Sequence, residues 1–305
     1  MADIRPRRRG AAMGSKWTPY FFLLPAAAYI FIFQAIPLAQ QVYLSFTRTS
    51  LLNPSGGTWV GLDNYARIFG SPDFQKTLWT TLVYVVACVV GTVGLGFAVA
   101  LLLNAKLPGR GIARAVVTIP WAAPGIATAL IATWMMNPQY GIVTRALRAV
   151  GVDVGPSGVL DNPQLALPAI LATTMWQLFP FVAVVILSAL QAVPVELKEA
   201  AQLDRANRWW VFRVVTWQVV KPTVGLVALL MTIWSLRRFE LIWLMTRGGP
   251  LGSTRTLVID LYSKAFDAQR LGDAAAIGMV GIAMALIVVV GSRAVSRAAE
   301  RGASS

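Results

Sequence analysis

The sequence predicts an all-α, polytopic membrane protein with six transmembrane helices, and three observations predict it. The 305 residues are 56% hydrophobic and only 13% charged, about half the charged share of a soluble globular chain. Mean hydropathy is +0.62. Six apolar windows, at 20–44, 78–104, 113–136, 165–192, 223–246 and 274–292, meet or approach the roughly 20 residues a helix needs to cross a bilayer core. Finally, the 27 Lys and Arg residues are unevenly placed: with the N-terminus inside, 16 fall in cytoplasmic segments, nine in outer segments and two within the fifth window. That excess follows the positive-inside rule and puts both termini in the cytoplasm.

Taken in order, residues 1–16 form a basic cytoplasmic tail suited to anionic lipid headgroups, and 17–292 form one transmembrane domain. The basic tail and apolar stretch resemble a signal peptide, but the stretch is longer than a signal core, so a retained first span is expected. That span carries Pro25 and Pro37, each a kink supported by neighbours. The outer segment after it holds a turn cluster at 53–57, Asn-Pro-Ser-Gly-Gly. Span two is rich in small residues that let helices approach closely, among them Gly91, Gly94 and Gly96. A basic turn with Lys106 and Arg110 leads into span three, which is kinked within PWAAPG at 120–125. The segment 137–164 is polar and turn-rich, and span four carries Trp176, Gln177 and Pro180. Span five holds Trp234, Arg237, Arg238, Glu240 and Trp243, TRGGP at 246–250 makes an outer turn, and span six precedes a cytoplasmic tail at 293–305.

Composition also excludes. There is no histidine, and Cys88 is the single cysteine, set in an apolar run as core filler. Imidazole chemistry, thiolate metal sites and internal disulfides are thereby absent, and the paired acids of an enzyme are missing. No GxxxxGK[ST] string occurs, so any ATP is hydrolysed by another chain. The net charge of +14 is topological, since no basic soluble domain offers itself to nucleic acid.

The segment 193–222, VPVELKEAAQLDRANRWWVFRVVTWQVVKP, is the charged cytoplasmic connection between the fourth and fifth spans. Pro194 suits a first helical turn, and Glu196 and Glu199 are favoured near a helix N-terminus. Glu196, Glu199 and Gln202 share a face, while Ala200 and Ala201 keep the surface thin for a close partner. Trp209, Trp210 and Phe212 return the chain to the membrane interface, where aromatics are enriched. Spacing alone leaves two readings open, a docking surface and a solvated loop.

The string Glu199-Ala200-Ala201-Gln202-Leu203-Asp204, followed by Ala206, Phe212 and Pro222, resembles the EAA loop of ATP-binding-cassette importer permeases. LSF at 44–46, VGLDNYARIF at 60–69, ALLLN at 100–104, PW at 120–121, NPQYG at 137–141, FELIWLMTRGGP at 239–250 and YSKAF at 262–266 are similar, in order and spacing, to binding-protein-dependent sugar permeases. Among those, the chain looks most like the first permease of maltose-type and glycerol-phosphate-type systems. The resemblance implies the type I importer permease fold, with Glu196, Glu199, Ala200, Ala201, Asp204, Arg205 and Ala206 coupling to an ATPase. It implies a second, homologous permease, two ATPase subunits that bind ATP and Mg, and an extracytoplasmic solute-binding protein. It implies no cofactor in this chain and no catalysis by it. The solute would be a sugar or oligosaccharide, with glycerol phosphate or a polyol as the alternative and a stand-alone secondary transporter less favoured. Two positions depart from the family pattern: Arg205 replaces a common glycine and Gln218 a common proline. A bulky residue in a left-handed turn costs about 1 kcal/mol or more, so Arg205 either adopts another turn or is compensated by a salt bridge to the ATPase.

Charge within a span costs about 2.5–3.5 kcal/mol at mid-bilayer, so Arg237, Arg238 and Glu240 should face protein, water or each other. The i,i+3 spacing of Arg237 and Glu240 permits a pair. With Trp234 and Trp243, and with Trp176 and Gln177 in span four, they form the candidate substrate pathway; a structural ion pair fixing helix packing is the other reading. Arg247, Gly248, Gly249 and Pro250 are, by resemblance, the candidate contact with the binding protein.

Overall fold

The computed structural model describes residues 18–105, 108–203 and 206–303. The first apolar window forms α1 (Thr18–Ile30) and α2 (Ile36–Ser45), joined by a π-helical turn, Phe31–Ala35. Pro37 follows that turn, and the Ile36 amide reaches back to the Phe31 carbonyl, re-spacing the ladder where proline withdraws a donor. A hairpin then intervenes, β1 (Thr47–Ser50) against β2 (Asn53–Trp59), antiparallel with Thr47 opposite Trp59. Here the expected turn cluster is corrected. Residues 53–57 lie inside β2 and the chain reverses at Leu51 and Leu52. Glycine serves close approach instead, since a Cβ on Gly57 would fall 2.1 Å from the Thr49 hydroxyl.

The short helix α3 (Asp63–Phe69) precedes α4 (Pro72–Asn104), which crosses as the second span. The third window does not form one rod: α5 (Arg110–Ala122) and α6 (Gly125–Met135) meet at 93°. Pro124 sits extended at the break with ψ 138°, as expected where proline bars the preceding turn from continuing. After α7 (Ile142–Ala149) comes α8 (Ala166–Gln191), the most buried span, and then α9 (Val195–Leu203) and α10 (Arg208–Val211).

The fifth span is also corrected. A π-helical turn, Phe212–Thr216, carries α10 into α11 (Trp217–Leu236), so the helix long enough to cross runs Arg208–Leu236 and not 223–246. Enough apolar length is reached before the arginines, and the Arg237 and Arg238 amides close the end with short bonds to the Trp234 and Ser235 carbonyls. Glu240 then opens α12 (Glu240–Thr246), followed by α13 (Leu257–Tyr262), a π-helical turn Ser263–Asp267, and α14 (Leu271–Ala303). The last helix thus continues past residue 293, where a tail was expected to begin.

Two apolar clusters divide the bundle by depth. One joins α4, α6, α8, α12 and α13 through Tyr84, Ala129, Ile170, Leu241 and Ile259. The other joins α4, α8 and α11 through Ala100, Val182, Ile186, Val220 and Met231. Gly96 lets α4 lie directly on α8, since a Cβ there would meet Val182 at 2.6 Å. Cys88 is fully buried. Asn64 Nδ2 donates to the Ser45 and Thr47 carbonyls at 2.9 and 2.8 Å, and Arg67 pairs with buried Asp273 at 2.9 Å. These bonds tie the end of the first span to the start of the last.

Candidate functional site

The break between α5 and α6 faces the end of α11, and Gln177 of α8 stands between them. Gln177 is 5% exposed and lies at the junction of the two apolar clusters, where an unsatisfied amide would cost 1–3 kcal/mol. Its Nε2 donates to the Ala123 carbonyl at 3.2 Å and to Thr128 Oγ1 at 3.3 Å. The Ala123 carbonyl is free to accept because Pro124 follows it and helix α6 starts afresh. Gln177 Oε1 accepts from the Arg238 guanidinium, so one amide joins both breaks. The Glu240 carboxylate also reaches the start of α6, 3.1 Å from where a Gly125 Cβ would sit.

Of the seven residues expected along a pathway, the structure brings Gln177, Trp234, Arg237, Arg238 and Glu240 together. Gly125, Trp234, Arg237, Arg238, Phe239, Glu240 and Leu241 line one cleft of about 370 Å³, within the range of small-molecule sites. The expected Arg237–Glu240 pair is corrected: among the described residues neither forms an ion pair, because the helix ends between them and i,i+3 geometry is lost. Trp176 points to the exposed surface of α8. Trp243 joins another row, 5.5 Å from Phe239 and 4.5 Å from Tyr262. Sequence reasoning missed Trp121 and Phe181, which continue from Trp234 as an aromatic row with centroids 5.1 and 5.5 Å apart. It also missed Ser235, whose hydroxyl is buried without a partner. The signal for Trp121 was its place one turn before the Pro124 break.

The segment between the fourth and fifth spans holds two short helices, α9 and α10. α9 exposes Glu196, Glu199 and Leu203 and buries Ala201. Val195 and Leu197 are exposed as well, and Leu203 is 86% exposed, so α9 offers most of its surface. The Ala206 amide closes on the Ala201 carbonyl at 3.0 Å, and Asn207 caps α10 through its Oδ1 at 2.7 Å from the Trp210 amide. Ala200 lies within α9; Asp204 and Arg205 lie outside the described residues. Chain order matters here, since α9 and α10 lie between α8, which carries Gln177, and α11, which Arg238 follows.

After α12, Arg247 (φ 51°) and Gly248 (φ 85°) turn the chain sharply ahead of Gly249 and Pro250. Gly248 is required, because a Cβ would meet Ile259 at 2.9 Å in a left-handed conformation. The Thr254 hydroxyl donates to the Gly249 carbonyl and Lys76 Nζ to the Leu251 carbonyl, both at 2.8 Å. The tied loop presents Leu251, 84% exposed, a residue not singled out in the sequence.

Comparison with known proteins agrees with these features. Residues 91–301 match the family described as binding-protein-dependent transport system inner membrane component. The chain is 34% identical to the trehalose/maltose transport system permease protein MalF of Thermococcus litoralis, covering 83% of this chain and 84% of that one. It is 31% identical to the sulfoquinovosyl glycerol transport system permease protein SmoG of Agrobacterium fabrum, covering 90% and 89%. A crystal structure of a bacterial ABC transporter involved in import of the acidic polysaccharide alginate superposes with a TM-score of 0.79 at 23% identity, covering 92% and 95% of the two chains.

Proposed function

The chain belongs to the binding-protein-dependent transport system inner membrane components, and on that premise we propose that it passes a sugar or oligosaccharide through the cleft around Gln177. As a permease subunit of an ATP-driven importer it is itself non-catalytic: it sits in the inner membrane as a multi-pass component, works in complex with a binding protein and other transporter components, and leaves ATP to the ATPase partners. The proposed assembly has a second, homologous permease across the cleft and two ATPase subunits beneath, with both termini of this chain cytoplasmic.

One observation carries the reading: the break in the third span and the end of α11 meet at a polar node inside the membrane region. Discontinuous helices meeting at depth are how membrane transporters make a solute site without exposing backbone to lipid. Trp121, Phe181 and Trp234 give flat apolar faces for sugar rings, and Gln177, Glu240 and the arginines give hydrogen bonds. Relatives named for trehalose/maltose and sulfoquinovosyl glycerol transport support the substrate class.

The path from ATP to the cleft follows chain order. Glu196, Glu199, Ala200, Ala201, Asp204, Arg205 and Ala206 would engage the ATPase, and closure of its dimer moves α9. Because α9 joins α8 to α11, displacement at the cytoplasmic end is carried along both. Gln177 lies 14 residues before Gln191, roughly 21 Å at 1.5 Å per residue, so rigid helices bring the motion to the node. Arg247, Gly248, Gly249 and Pro250 would receive the binding protein at the outer end.

The test is ATP hydrolysis by the reconstituted complex of this chain, its sister permease, ATPase and binding protein, with a panel of saccharides. Stimulation by a loaded binding protein is expected; an assembled complex indifferent to every saccharide would refute the sugar reading.

A further inference from the structure

Donors and positive charge outnumber acceptors in the cleft. Arg237 and Arg238 both line it against a single carboxylate, Glu240, and none of the three forms an ion pair among the described residues. Arg238 spends one nitrogen on Gln177, while its Nε is buried with no partner. The third contribution is backbone. Helix α6, 11 residues long, begins at Gly125 on the cleft wall, and its first intrahelical bond is donated only by Thr128, to the Pro124 carbonyl at 3.0 Å. The amides before it are unpaired within the helix, and the dipole makes this end positive. Glu240 offsets part of that end, leaving one positive charge in excess on the cleft wall, where Arg238 is half-buried and Arg237 and Glu240 are exposed. Neutral hydroxyls would satisfy hydrogen bonds there but not the charge, whose uncompensated burial is costly. A planar or tetrahedral oxyanion meets both needs, and the arginine fork suits it.

We propose that this permease selects an acidic saccharide, whose carboxylate, sulfonate or phosphate is received by Arg238 and Arg237 beside the start of α6. This rests on the sugar-import reading of the same cleft. Gln177 is a positioning residue: by holding one guanidinium nitrogen with a neutral acceptor, it aims Arg238 without neutralising it.

The experiment uses the complete complex in nanodiscs with its binding protein and compares ATPase stimulation by matched probes. These are trigalacturonate against galactotriose, glucose 6-sulfonate against glucose, and glycerol 3-phosphate against glycerol; the pair that responds identifies the oxyanion. The wild type should prefer one acidic member. Arg238→Gln should lower that preference about tenfold or more, and Arg238→Lys should retain most of it. Gln177→Glu, which supplies a competing carboxylate, should lower the ratio of acidic to neutral stimulation comparably, whereas a packing defect would depress both probes alike. If Arg238→Gln fails to assemble, the Lys and Gln177→Glu variants carry the test. Unchanged preference in all variants would place selection in the binding protein and overturn the assignment, as would stimulation by neutral probes alone; either leaves sugar import standing. Silence to every probe from an assembled complex would remove both readings.

Discussion

At Gly272 a hydrogen atom where other residues carry a methyl decides how two spans meet, because a Cβ there would stand 2.0 Å from the Thr47 carbonyl. The obstacle is backbone and cannot rotate away. Gly272→Ala should therefore cost about 1–3 kcal/mol, the usual range for forced overpacking, and lower the melting temperature of the purified complex. Asp260, outside the spans on α13, is a different case. It is 4% exposed, and burial, above the opposing influence of Lys264 and Arg255 and aided by Asp73 and Asp273, holds its carboxyl above the usual range. A carboxyl raised on folding favours the folded state most at low pH and loses that advantage as pH rises through its folded value. Asp260→Asn should thus raise the melting temperature at neutral pH, with the gain shrinking on acidification; a gain constant across pH would count against burial as its cause. Residues of this kind were illegible in sequence. Gln177 could be nominated because an amide in an apolar helix needs a partner, but nothing local to Asp260 or Gly272 says what lies across from them.

Among the elements, α9 was legible because its residues combine proline, glutamates and small side chains in one run between two spans. Its exposed Glu196, Glu199 and Leu203 make the proposal of ATPase docking measurable. Leu203→Asp should reduce the ATPase recovered with the affinity-purified permease by about tenfold, the equivalent of about 1.4 kcal/mol. Glu199→Lys should abolish uptake, and both variants should insert into the membrane as the wild type does. The third span was legible only in part. PWAAPG announces a kink, but the 93° bend depends on Gln177 accepting Arg238 and capping the Ala123 carbonyl from a helix some fifty residues away. The fifth span shifted for a related reason. Window averages register how apolar a stretch is and not where its ladder ends, so 223–246 merged α11 with α12 across the arginines.

For the molecule as a whole, the helical, multi-span architecture was written in composition, since it depends on the bilayer and not on tertiary contacts, and the placement of Lys and Arg proposes a sidedness. The proposed sidedness can be checked because Cys88 is fully buried and leaves a silent background for thiol labelling. In intact cells a membrane-impermeant maleimide should modify Leu251→Cys and leave Leu203→Cys untouched; inverted vesicles should show the reverse. Labelling of both from one side would break the proposed topology.

The first span stands apart from the rest of the bundle. None of residues 20–44 is buried, and its attachment is confined to the C-terminal end, where Gln41 meets Gly278 of α14 and the Ser45 carbonyl meets Asn64. Lipid is no worse a neighbour for Phe and Leu than another apolar helix, so little packing within the chain depends on this segment. The matched family region begins only at residue 91. The cleft therefore places few packing demands on the sequence of α1, which needs apolar length and compatibility with lipid more than any particular side chain.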